Sequence, residues 1–255
     1  MTLTLGSETT FDAFLGGLLT LEQPAKGYRA GVDPVLLAAS VQASAGQSVL
    51  DLGCGVGTAL LCLAARVPDL ALCAVEVQTR YADLCRANAL ANGHSAQVWT
   101  ADLCALPADL TALTFDHVIA NPPYFERAKG NSSDQADRDL AFGGDTDLTI
   151  WLDVATRRLK PKGWLTLIQK ADRLPDVLRA IDARLGSVAV LPVTGRAGRD
   201  ADRFLLRARK GGRAPFRLHA PVHLHDGANH GRDGKDYLPN ISAILRNGAK
   251  FPFPD

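Results

Sequence analysis

Short apolar runs alternate with amphipathic stretches along most of the chain, and their lengths separate two kinds of element. Residues 48–51, 70–75, 97–99, 115–120, 164–169, 188–193 and 204–209 are brief runs that read as strands, and 70–75, nearly all apolar, is as expected of a strand buried on both faces of a sheet. Between them, residues 58–66, 79–91, 148–159 and 174–185 repeat apolar positions at helical spacing. Asp33-Pro34 predicts an N-cap followed by proline in the first turn of a helix over 35–41, and Asn92-Gly93 predicts a helix C-cap. Strands alternating with helices predict an α/β fold, a doubly wound and mostly parallel seven-stranded sheet. The flanks are less regular. Phe11, Phe14, Leu15, Leu18, Leu19 and Leu21 make a short apolar element of no clear period, Pro161-Lys162-Gly163 a turn, 216–224 an extra strand and 241–246 a closing helix. Residues 126–147 are polar and glycine-containing, which predicts a mobile loop.

At 255 residues and 47% hydrophobic content, the chain suits one domain with a sizeable core. The divisions expected within it are an N-terminal segment over 1–47, a core over 48–210 and a basic extension over 211–255. No apolar run approaches the ~20 residues of a membrane span, and the first residues lack a signal-peptide pattern, so a soluble, cytoplasmic protein with no obligate protein partner is expected. Cys54, Cys62, Cys73, Cys85 and Cys104 lie inside apolar patterns without Cys-x-x-Cys spacing and read as buried reduced thiols. His223, His225 and His230 lack a fourth partner at ligand spacing, so no metal is expected.

The net charge of +1 conceals an asymmetry. Up to Thr156 there are 8 basic against 18 acidic residues, and beyond it 20 against 9. Arg196, Arg199, Arg207 and Arg209 fall in its densest basic stretch, a pattern suited to contacting nucleic-acid phosphates.

Two motifs carry the chemistry. Val49-Leu-Asp51-Leu-Gly53-Cys-Gly55-Val-Gly57 runs from an apolar strand through alternating glycines into a helix, so a ligand can lie against bare backbone at a helix N-terminus. Glu76 ends the next strand, about 20 residues on, where an acid accepts hydrogen bonds from ribose hydroxyls. Asp102 follows the third strand and is placed to meet the amine of an adenine. Asn121-Pro122-Pro123-Tyr124 stands at the carboxyl end of the fourth strand. A rigid turn of this kind can present the Asn121 amide oxygen and the Pro122 carbonyl to an NH₂ group while the Tyr124 ring stacks on its plane. Together the motifs point to methyl transfer from S-adenosylmethionine to a planar nitrogen, driven by positioning and charge arrangement without a strong base.

These motifs resemble class I S-adenosylmethionine methyltransferases acting on amino or amide nitrogens. The stretch from Gln23 through Gly27-Tyr28-Arg29-Ala30-Gly31-Val32-Asp33-Pro34 to Ala39, with Asn121-Pro-Pro-Tyr-Phe125 and Arg207-Ala-Arg209-Lys-Gly, is similar to the bacterial tRNA(Val) adenine-N6 methyltransferases of the YfiC-like group. The resemblance implies a Rossmann-like methyltransferase sheet with a short C-terminal extension, S-adenosyl-L-methionine as cofactor and RNA, tRNA first, as substrate. It implies that Asp51, Gly53 and Gly55 form the cofactor loop, with Glu76 and Val77 at the ribose and Asp102 and Leu103 at the adenine. Tyr28 to Asp33 would cover the cofactor. Asn121, Pro122 and Tyr124 would hold the target amine, with Pro123 and Phe125 beside it. The rival readings are a guanine-N2 rRNA methyltransferase, a glutamine-N5 protein methyltransferase, a nicotinamide dehydrogenase that leaves Asn121-Pro-Pro-Tyr124 idle, and a non-catalytic RNA-binding or cofactor-sensing module.

Overall fold

The computed structural model describes residues 9–124, 147–227, 236–251 and 253. A hairpin of β1 (Thr9–Phe14) and β2 (Leu19–Pro24) opens the chain as a separate two-stranded antiparallel sheet. This is the apolar N-terminal element. Leu15, Leu19 and Leu21 are buried, whereas Phe11 and Leu18 are exposed. Asn88 and Asn92 tie the hairpin to the core, their side-chain oxygens accepting from the amides of Glu22 and Thr20 at 2.7 and 3.0 Å.

The core is built from α1 (Val32–Ser40), β3 (Ser48–Leu52), α2 (Thr58–Arg66), β4 (Ala71–Glu76), α3 (Thr79–Ala91), β5 (Ala96–Thr100), a short α4 (Ala108–Thr111) and β6 (Phe115–Ala120). After residues 125–146, which lie outside the described set and include the predicted loop and Phe125, come α5 (Leu148–Arg158), β7 (Leu159–Lys170), α6 (Leu174–Ala180), β8 (Leu185–Thr194) and β9 (Arg203–Lys210). Two-residue strands β10 (Arg217–Leu218) and β11 (Val222–His223) and a closing helix α7 (Pro239–Asn247) are the last of the described elements. The sheet order is β10-β8-β9-β7-β6-β3-β4-β5, with β11 also on β8. Among the described strands of this larger sheet only β9 runs antiparallel to its main neighbours, β7 and β8, so the doubly wound, mostly parallel sheet of seven principal strands is present.

Strand alternation sends side chains to two layers. Val49, Ile119, Ile168, Leu191 and Leu205 pack with α1, α2, α7 and the tail residues Phe251 and Phe253 on one face. Leu50, Leu52, Val118, Leu165, Leu167, Phe204 and Leu206 pack with α5 and α6 on the other. Both faces are covered, which is why the strands read as continuous apolar runs.

Several local expectations are corrected. Helix α1 starts one turn earlier than expected, with Gly31 as its N-cap and no side-chain cap, because the Asp33 carboxylate is engaged elsewhere. Helix α6 ends at Ala180; the Asp182 carboxylate accepts from the Arg184 amide at 2.8 Å and turns the chain into β8. Pro161-Lys-Gly163 is a bulge inside β7, where Lys162 takes φ 66 and the register against β6 shifts. The extra strand expected over 216–224 breaks into β10 and β11, each parallel to β8. Cys104 is exposed, while the other four thiols are buried.

Candidate active site

The sheet order reverses between β3 and β6: β3 connects onward to β4 on one side and β6 to β7 on the other. In open α/β sheets a crevice forms at the carboxyl ends of the two strands where the order reverses, because their outgoing connections diverge. Register pairs Leu52 with Ala120, so Gly53 and Asn121 leave the sheet side by side. There lies a cavity of about 310 Å³, within the usual range for small-molecule sites. Its lining includes Asp51, Gly53, Gly55, Glu76, Val77, Asp102, Leu103, Asn121, Pro122, Pro123, Tyr124 and Tyr28. The folded chain thus brings both motifs, and the acids after β4 and β5, to one place. Asp33 does not line the cavity; it stands behind Tyr124.

The glycine loop is shaped by hydrogen bonds to the end of β4. The amides of Gly53 and Cys54 donate to the Val75 carbonyl at 2.8 and 3.2 Å, and the Gly55 amide donates to Glu76 Oε2 at 2.9 Å. Glu76 Oε1 accepts from the Gln78 amide at 2.9 Å at the start of α3, so the acid also serves as a helix-terminal acceptor. Gly53 has φ 63, a left-handed conformation. A Cβ there would run into Cη2 of Trp151 on α5 and lie 3.0 Å from its Cζ3. Trp151 therefore forms the floor under the loop. Sequence reasoning missed it, since an indole on an amphipathic helix carries no signal beyond core packing.

Buried polar atoms with no partner cost about 1–3 kcal/mol each and ask for an explanation. Asp51 Oδ2, Thr58 Oγ1, Asn121 Oδ1 and Trp151 Nε1 are four such atoms, and all four residues line this cavity. Burial, reinforced by the neighbouring Glu76, pushes the Asp51 carboxyl well above its ordinary value. Burial likewise raises Glu76, opposed by the amides of Gln78 and Gly55. An acid pair of this kind favours a ligand that brings N–H donors, a positive charge and hydroxyls.

The second half of the site is the turn after β6. Gln169 Nε2 on β7 donates to the Pro122 carbonyl at 3.2 Å and fixes its direction; Gln169 too carried no sequence signal. Asn121 Nδ2 lies 3.5 Å from the Tyr28 hydroxyl, which leaves Oδ1 turned away and unpartnered. The Tyr124 hydroxyl donates to Asp33 Oδ2 at 2.6 Å, and the Lys170 ammonium stands 5.8 Å from the Tyr124 ring centroid. Burial, then Asp33, raises the Tyr124 hydroxyl far above its ordinary range, so it stays protonated; burial and Asp33 push Tyr28 up to about 12. Tyr28 stands against the loop, with an added Gly55 Cβ 3.8 Å from its Cε1.

The arginines separate. Arg196 is buried, donating to the Asp226 and Gly227 carbonyls and paired with Asp236. Arg207 is buried too, stacked 4.5 Å from the Trp164 ring and 5.0 Å from Phe253. Arg209, opposite Trp164 in register, lies six residues from Arg203 along β9, about 20 Å toward the edge of the sheet away from the cavity. The expectation that Arg196 and Arg207 contact substrate is therefore corrected, since both are buried against the chain's own groups, while the antiparallel run of β9 carries the half-exposed Arg209 away from the cavity. Arg199, between β8 and β9 at the cavity end, is exposed. His225 is tied to Asp236 at 2.9 Å and stacked on Tyr237, and His230 lies outside the described residues.

Comparison with known proteins settles the family. The family described as methyltransferase small domain matches residues 30–195. The chain belongs to this methyltransferase family. It is 32% identical over 196 residues to a tRNA1(Val) (adenine(37)-N6)-methyltransferase of Porphyromonas gingivalis, covering 71% of this chain and 76% of that one. An enzyme of the same name from Aeromonas hydrophila is 31% identical over 202 residues, with 78% and 84% covered. Among solved structures, a predicted O-methyltransferase of Agrobacterium tumefaciens superposes with TM-score 0.69 at 24% identity, covering 86% of this chain and 98% of that one. The 16S rRNA N2 G1207 methyltransferase of T. thermophilus, in complex with AdoMet and guanosine, gives 0.56 at 21% identity, with 79% and 50% covered. The fold is the Rossmann-like class I methyltransferase fold, and the chain is an S-adenosylmethionine-dependent methyltransferase. The cavity fits that cofactor: the orphaned Asp51 oxygen suits its ammonium group, the Glu76 carboxylate its ribose, and the loop at Gly53 and Gly55 leaves space beside the backbone. Among the described residues no helix is long and apolar enough to cross a membrane.

Proposed function

We propose that this methyltransferase modifies the N6 amine of an adenine in tRNA. The observation that carries the reading is the buried, unpartnered Asn121 Oδ1 on a turn whose Asn121, Pro122 and Tyr124 all line the cavity. S-adenosylmethionine, when bound, supplies the electrophilic methyl group. Asn121 Oδ1 accepts one N–H of the target amine and the Pro122 carbonyl accepts the other. A carbonyl oxygen has two lone pairs, so Pro122 can accept this bond while it keeps the one from Gln169. With both N–H groups held, the amine is drawn out of conjugation and its lone pair is freed for the methyl group. Tyr124 supplies the stacking face. These are effects of orientation and charge arrangement, and the proton released after transfer passes to water.

The acceptor assignment draws on the names of the relatives, all tRNA1(Val) (adenine(37)-N6)-methyltransferases among the most similar. A base must leave its stack to reach Tyr124, which costs little in a single-stranded loop. Exposed Arg199 at the cavity end is a phosphate contact in this reading, the cytoplasm the compartment and Asp51, Gly53, Gly55, Glu76, Val77, Asp102 and Leu103 the cofactor site. The test is transfer of labelled methyl to unmodified tRNA, total rRNA and a release factor in parallel, with nucleoside analysis. N6-methyladenosine in tRNA is expected, and Asn121→Ala should abolish it while cofactor affinity stays within a few-fold. N2-methylguanosine in rRNA, or label in protein, would replace the acceptor assignment.

A further inference from the structure

The Tyr124 hydroxyl does not face the cavity alone. It is the end of a chain of polar contacts drawn from three separate elements. Tyr124 Oη donates to one oxygen of Asp33, in the first turn of α1, at 2.6 Å. The other Asp33 oxygen accepts from Arg203 Nη1, and Arg203 Nη2 donates to Asp202 at 3.0 Å. Arg203 is the first residue of β9 and sits in register between Lys170 of β7 and Val193 of β8, so its backbone is held on both sides. Both side chains are largely screened from solvent, 16% exposed for Asp33 and 24% for Arg203. An O–H to carboxylate bond whose acceptor is also paired with a guanidinium is short and directional.

The placement matters because the Tyr124 ring can do its work only in one plane. Two prolines restrict the backbone before it, but nothing in them restricts the ring. We propose that Asp33 and Arg203 are positioning residues that lock the Tyr124 ring in the plane on which the target base stacks, so that the stacking face is set by β9 and α1 and not by the turn that bears it. This deepens the reading above and rests on it. The same chain joins the two halves of the site. Asp33 follows Tyr28 by five residues in the same segment, and Asn121 in turn reaches the Tyr28 hydroxyl, so that segment and the base-holding turn share one anchor.

The experiment compares wild type with Arg203→Ala, Arg203→Lys, Tyr124→Phe and the double variant Tyr124→Phe/Arg203→Ala. For each, kcat and KM for the RNA acceptor, the Kd for S-adenosylmethionine and the melting temperature are measured. Tyr124→Phe keeps the ring and removes only its anchor. Arg203→Ala and Tyr124→Phe are each expected to lower kcat about tenfold with cofactor Kd within twofold, Arg203→Lys to recover most of the loss, and the double variant to fall within about twofold of the worse single variant. A merely structural arginine would give losses that multiply, because its effect would not pass through the tyrosine hydroxyl. Multiplying losses, or wild-type kcat in a folded Tyr124→Phe, overturns the proposal. Should Arg203→Ala fail to fold, Tyr124→Phe alone decides it. If wild type methylates a different amine, the adenine assignment fails by itself, and the same comparison on that amine decides the role of Arg203.

Discussion

Replacing Gly53 by alanine tests whether the floor of the pocket is built around a missing side chain. Gly53 has φ 63 and faces the Trp151 indole, where a Cβ would run into Cη2 and lie 3.0 Å from Cζ3. Holding a residue with a side chain in the left-handed region costs about 1–2 kcal/mol. Forcing a methyl against a buried ring adds about 1–3 kcal/mol of overpacking. The expected loss of stability is therefore about 2–5 kcal/mol, from those two sources together. They separate in a second background. Trp151→Phe withdraws the outer edge of the ring, so Gly53→Ala made in that variant should cost only the backbone part, a coupling of about 1–3 kcal/mol in a double-mutant cycle. Urea unfolding of the four proteins measures this, because a constant slope identifies a change in stability alone. Calorimetric titration with S-adenosylmethionine should show weaker binding in Gly53→Ala than in the double variant, since the loop is displaced by the same contact. Equal costs in both backgrounds would refute the packing account, and unchanged stability would refute both parts.

Other consequences concern charge. Burial and Glu76 hold the Asp51 carboxyl well above its ordinary value, so the folded protein keeps this proton longer than the unfolded chain and loses stability as pH rises from the ordinary carboxylate value through the raised one. Asp51→Asn should therefore raise the melting temperature of the cofactor-free protein at neutral pH while weakening S-adenosylmethionine at least tenfold; a lower melting temperature would contradict the electrostatic reading. Burial, opposed by Asp116 and aided by Arg207 and Arg66, pushes His117 from 6.5 down to about 4. Here the folded state resists the proton, so stability is complete above pH 6.5 and falls as pH drops toward 4, by up to roughly 3 kcal/mol. His117→Gln should flatten that part of the stability curve, and an unaltered acid slope would refute the assignment. Arg207→Ala should cost about 2 kcal/mol or more of stability, because its guanidinium fills the space between Trp164 and Phe253. RNA binding by the folded variant, measured by salt titration, should keep its slope; a slope reduced by about one would return Arg207 to the phosphate contacts.

Much of the site is local in the chain, and that part was legible without the structure. The glycine run that must turn from strand to helix, the acids at the ends of β4 and β5 and the proline turn after β6 are each defined by neighbouring residues. The topology of a doubly wound sheet then carries them to one crevice. Residues whose roles depend on partners far along the chain were not legible. Trp151 and Gln169 look like ordinary core positions until α5 slides under Gly53 and β7 aligns beside β6. Asp33 reads as a helix cap because its immediate neighbours are Val32 and Pro34, yet its carboxylate is taken by Tyr124 and Arg203, 91 and 170 positions away.

The arginines show the same division. Their number and density are properties of the sequence, but whether each meets solvent is set by strand direction and by what packs over its place on the strand. β9 turns Arg207 inward between two rings, keeps Arg203 at the cavity end and carries Arg209 to the other edge. The amino-acid sequence alone determined the class of fold and the chemistry of the two motifs, because backbone preferences and hydrophobic period are short-range. Only the tertiary structure decided which charges are buried in the core and which stand at the cavity end, because a charge takes its surroundings from whatever groups meet it after the chain has packed.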